Sequence, residues 1–132
     1  MTQEEIQEGN RLIAEFIGRK LNGISLNEYR KIPREDRHLF NGAFLEDLQY
    51  YTSWDWLMPV VEKIESGEYA IIHTTYFGKN HVYIRAEHER KFKHIDFWWG
   101  EAESDNKCET KLEATYKAVV EFIKWYNKNK EG

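Results

Sequence analysis

Four histidines, His73, His81, His88 and His94, fall close together in the middle of the chain and are the first candidates for chemistry. Their separations of 7, 6 and 5 residues match no compact zinc spacing, so no metal requirement and no cofactor are expected. Cys108 is the only cysteine. It stands just before Thr110-Lys111-Leu112-Glu113, and a helix N-terminus there would favour the thiolate; an incidental thiol beside a loop is the simpler reading. Glu101, Glu103 and Asp105 alternate without the glycine turn of a calcium loop and read as solvated. There is no glycine-rich phosphate loop, no Gly-x-Ser-x-Gly elbow and no His-Glu-x-x-His pair. No catalytic residue is assigned, and an enzyme is not expected.

Aromatic residues form the stronger constellation. Five Trp, eight Tyr and seven Phe make up 15% of the chain, and many of them fall on strand-like segments. Alternation places Tyr76, Tyr83, Arg85, His94, Asp96 and Trp98 together on the sheet face opposite Ile71, Val82, Ile84, Ile95 and Phe97. Rings beside Arg and His can stack a base, or anchor a protein interface, where Trp, Tyr and Arg carry most of the energy. From Lys79 to His94, five Lys/Arg against two Glu leave +3, in a chain whose net charge is −4. Tyr76, Tyr83, Arg85, His94 and Trp98 are therefore the candidate binding residues. The competing reading is that both sheet faces are covered and the rings are core. In Trp54-Asp55-Trp56 the two indoles leave a helix about 200° apart, so one is expected in the core and the other against the preceding loop.

The elements that must position these residues are legible in the spacing. A chain of 132 residues is one domain's worth, long enough for one core. Its acidic balance argues against a duplex nucleic-acid binder. No apolar run is long enough to span a bilayer, and the single cysteine fits a reducing compartment. Ile6, Ile13, Phe16 and Ile17 mark a helix from Gln3 to Ile17, closed by Gly18. Ser25-Leu26-Asn27-Glu28 has capping-box spacing ahead of a short helix that Pro33 stops. Arg34-Glu35-Asp36-Arg37 reads as a solvated charge run, and Phe40, Phe44, Leu45 and Leu48 return the chain to a core. Ser53 is placed to cap a helix that Pro59 kinks or restarts and Gly67 ends.

Three strands follow, Tyr69 to Phe77, Val82 to Ala86 and Lys91 to Trp99, the first pair joined by Gly78-Lys79-Asn80. The last helix opens on the Thr110–Glu113 capping box and carries Leu112, Tyr116, Val119, Ile123 and Tyr126 as an apolar stripe, widened by Ala118, Phe122 and Trp125. The expected fold is α+β: a three-stranded antiparallel meander packed on a long C-terminal helix and an N-terminal helix, with short helices between. Ile64, Ile84, Phe97, Val119 and Ile123 should be buried together. Residues 1–132 read as a single domain, in which 19–52 is a variable insertion.

The block Ser53-Trp54-Asp55-Trp56-Leu57-Met58-Pro59-Val60-Val61-Glu62-Lys63-Ile64 resembles that of a family of small proteins encoded by phages, prophages and bacteria. Asn10–Ile17 and Glu113–Asn127 are similar to the same family, and the three blocks cover about a quarter of the chain. The resemblance implies a phage-related origin and the cytoplasm of a bacterial host, and it carries over no catalytic residue. It favours a small non-catalytic protein that binds another protein, a host defence or nuclease component being the kind of partner expected. The alternative is a module holding a nucleotide or other small molecule on the aromatic sheet face.

Overall fold

The computed structural model describes residues 1–66, 72–78, 80–88, 91–100 and 107–129, with the side chains of 72–78 and 88 outside the description. The chain divides into two compact units, Met1–Gln49 and Tyr50–Gly132.

In the first unit, α1 spans Gln3–Phe16. Thr2 and Glu5 close a reciprocal capping box at its start, satisfying two backbone donors that the helix cannot. Its other end is a Schellman motif: Gly18 at φ +78 donates to the Glu15 carbonyl, and Arg19 donates to that of Ala14. Ser25 caps α2, Leu26–Arg30, as its spacing predicts. The charge run Arg34–Arg37 winds into a 3-10 helix, Arg34–Leu39. Arg37 departs from the solvated reading. Its guanidinium donates to the carbonyls of Ile32 and Arg30 and lies 5.4 Å from the Tyr29 ring. A bridge between Leu21 and Ala43, and a hydrogen bond from the Asn10 amide to the Leu48 carbonyl, tie residues 19–49 to one another and to α1.

The second unit is an α+β layer. Helix α3 runs Trp54–Glu65 as one element through Pro59. Ser53 occupies the N-cap position, but its hydroxyl makes no capping bond, so Asp55 in the first turn is left to favour the dipole. Strands β1 (Ile72–Gly78), β2 (His81–His88) and β3 (Lys91–Trp99) form the antiparallel meander. A two-residue strand that the sequence does not announce, β4 (Lys107–Cys108), pairs in parallel with Trp98–Trp99. The expected starts and stops at Tyr69–Ile71, Gly67 and Lys79 lie outside the described residues.

Helix α4, Lys111–Asn129, lies against β2 and β3, with α3 beside it and against β1. Leu57, Val60, Val61 and Ile64 of α3, Val82, Ile84 and Ala86 of β2, and Ile95 of β3 are buried with Tyr116, Val119, Phe122 and Ile123 of α4. Four of the five residues expected to share the core do so. Phe97 does not: it is half-buried, on a strand whose outer neighbour is only the two-residue β4 at Trp98–Trp99. The stripe on α4 is widened by Ala118 and Phe122 as expected, and by Ala114 beyond the pattern, while Trp125 is only half-buried. Leu112 and Tyr126 are half-buried, whereas Ala114, Ala118 and Phe122 are fully buried. At 100° per residue the buried arc covers about 240°.

Candidate functional site

Two registers fix which side chains share the outer sheet face. Val82 pairs with Phe97, Ile84 with Ile95 and Ala86 with Lys93, so these positions share the face toward α4. The alternate positions form the opposite face in cross-strand rows: His81 with Trp98, Tyr83 with Asp96, Arg85 with His94, and Glu87 with Phe92. The row predicted from alternation is therefore assembled. Tyr76 pairs with Tyr83 through its backbone, and its side chain lies outside the described residues.

That face is open at one end and internally linked at the other. Arg85 and His94 are exposed, and Phe92 is 52% exposed. Tyr83, Asp96 and Trp98 are half-buried. The His81 and Trp98 rings stack, 3.8 Å between centroids and 11° between planes. His81 Nε2 meets Asp96 Oδ1 at 2.5 Å, one row along, a contact that fixes the imidazole plane. Tyr83 Oη meets His94 Nδ1 at 2.8 Å. With the phenol donating, the neutral His94 ring carries its proton on Nε2, which then serves as a donor. The stack lies within one row, and the two polar contacts run diagonally between neighbouring rows. With the Tyr83 ring 6.1 Å from that of His81, Trp98, His81, Asp96, Tyr83 and His94 form one connected cluster.

The remaining candidates behave differently. Cys108 is buried in β4, and burial pushes its thiol above the ordinary value, with nearby Lys117 opposing. The thiolate reading of this cysteine is overturned. Among the described residues, no group of three or more His, Cys, Asp and Glu is placed to hold a metal ion. The side chains of His73 and His88, and Glu101, Glu103 and Asp105, lie outside the described residues. Neither indole of Trp54-Asp55-Trp56 anchors the core, because both are half-buried and Leu57 takes that place. Trp56 packs edge-on against Tyr50, as expected for the preceding loop, while Trp54 and Trp99 each lie 5.9 Å from the Lys111 ammonium.

Sequence reasoning missed His81 as a member of the face and left Phe92 out of the candidate binding residues. Their signal was the strand register: His81 is the cross-strand partner of Trp98, and Phe92 has the same parity as His94. No helix among the described residues is long and apolar enough to cross a membrane. Comparison with protein-family models, with curated proteins and with solved structures finds no match to this chain.

Proposed function

We propose that this chain is a small non-catalytic binding protein, of the phage type its Trp-Asp-Trp block resembles, acting in the cytoplasm of a bacterial host. It engages another protein through the outer face of β2 and β3. One observation carries this reading. Phe92 is the only large apolar side chain exposed among the described residues of the second unit, and it lies on the same sheet face as the exposed Arg85 and a pre-ordered cluster of Trp, Tyr and His. Ordering rings before contact lowers the entropy cost of association. Exposed aromatic and Arg side chains around an ordered centre suit a protein interface.

A stacked nucleobase is favoured less, because His81 already covers one face of Trp98. The test uses the full chain as bait in a host lysate, beside Phe92→Ala and Trp98→Ala variants whose melting has been measured. A protein retained by the parent and lost by both folded variants supports the interface. Identical capture by all three, or a nucleotide that raises the melting temperature and is lost with Trp98→Ala, overturns it. A ligand at 100 times its Kd adds about 2.7 kcal/mol, well within reach of that assay.

A further inference from the structure

We infer that the partner presents an acidic segment, one carboxylate seated between the Arg85 guanidinium and the His94 imidazole and an adjacent apolar side chain laid on Phe92. This rests on the reading of the outer face as a protein interface. Arg85 and His94 are directly opposed across β2 and β3, both exposed. Opposed side chains start about 5 Å apart at Cβ, close enough to grip one group.

Three cations of the chain pair with carboxylates on their own helix: Arg11 with Glu8 and Glu15, Lys117 with Glu113, Lys124 with Glu121. Among the described residues Arg85 forms no such pair. The acids of its own face do not meet it: Asp96 contacts His81, and Glu87, on the same strand and face, makes no ion pair with it. Its five donors are thus accessible to an outside acceptor, as is the Nε2 edge of His94.

The surroundings choose among anions. Lys91 and Lys93, on the opposite sheet face but at the same end of β3, are exposed and add positive field to a chain that is acidic on average. A planar carboxylate fits a guanidinium fork with two parallel hydrogen bonds. Phe92 is the diagonal neighbour of Arg85, so an apolar side chain close to the carboxylate gains burial that a free anion cannot.

The experiment titrates the isotope-labelled full chain with three probes: a short peptide alternating Glu and Leu, the same peptide with Gln for Glu, and inorganic phosphate. The Glu peptide is expected to shift the amides of Arg85, Phe92 and His94 and to bind about tenfold more tightly than the Gln peptide. Arg85→Gln should erase that preference without lowering the melting temperature, and Phe92→Ala should weaken both peptides. Equal binding of the two peptides on this face removes the carboxylate and overturns the inference while leaving the interface reading intact. Phosphate binding as well as the Glu peptide also overturns it, as does an absence of shifts at these residues; the interface itself is then judged by the capture experiment.

Discussion

His81 and Trp98 face each other across β2 and β3 with their rings parallel, and the same imidazole holds Asp96. The stack orders a surface rather than filling a core, because both residues are half-buried. Trp98→Ala should therefore remove a ring pair worth about 0.5–1.5 kcal/mol beyond its partial burial. Loss of a packed aromatic costs about 3–5 kcal/mol. Urea denaturation separates the two: a loss in the upper range would show that the outer face is core.

Ile123 tests the opposite side of the sheet. It is fully buried on α4, so Ile123→Ala should cost about 2–5 kcal/mol. A loss below about 0.5 kcal/mol would show that the wrong helix face has been assigned to the core. Phe97→Ala, at a half-buried position, should cost less than truncation of a fully packed Phe.

Alkali should destabilise the protein through Tyr116. Burial raises its phenol far above the ordinary value of 10.0, and nearby Tyr51 adds to the shift. The folded state keeps the phenol neutral while the unfolded chain ionises it near 10. Stability is therefore present in full below about pH 10 and is lost as pH rises beyond it. Denaturant midpoints between pH 9 and 11 should fall for the parent and fall less steeply for Tyr116→Phe; parallel curves would refute the assignment.

Cys108 should react slowly with a thiol reagent at pH 8 and quickly once denaturant is added. Burial both shields its sulfur and disfavours the thiolate. Rapid labelling of the folded protein would place this cysteine elsewhere.

Gly100 is held at φ +71, and a Cβ there would lie 2.5 Å from Nδ2 of Asn80. That amide donates to the Trp99 carbonyl, and the Asn80 carbonyl accepts from the Trp99 amide. Gly100→Ala should cost about 1–3 kcal/mol, from left-handed strain together with disruption of this clasp. An unchanged melting temperature would count against the clasp.

Periodic elements were legible in the sequence, and elements without a period were not. The Ser25 and Thr110 caps, the Gly18 stop and the odd-sum pairing of β1 with β2 follow from residue type and alternation. The candidate site follows too, because Tyr83 and Arg85 share one parity on β2, His94 and Trp98 the other on β3, and the odd-sum register brings them to one face. Lys107–Cys108 was unreadable: two residues carry no alternation, and their pairing is set by Trp98 and Trp99 beside them. Phe97 was placed by the right parity, but parity says nothing about how far the neighbouring strand extends. The division after Gln49 was hidden as well, since Leu48-Gln49-Tyr50-Tyr51 shows no glycine, proline or shift in charge.

The pairs Gly78–His81 and His88–Lys91 each leave two residues between consecutive strands. Closing such short loops takes little entropy, so both hairpins can form on the order of microseconds. Helices α3 and α4 flank the whole meander in sequence, and their meeting closes a far longer loop. The open face that we read as an interface is thus made from the contacts available earliest, while the core behind it waits for the slowest. Truncations in α4 should slow folding or speed unfolding without erasing the hairpins, and the order of events is set by topology rather than by the strength of any one contact.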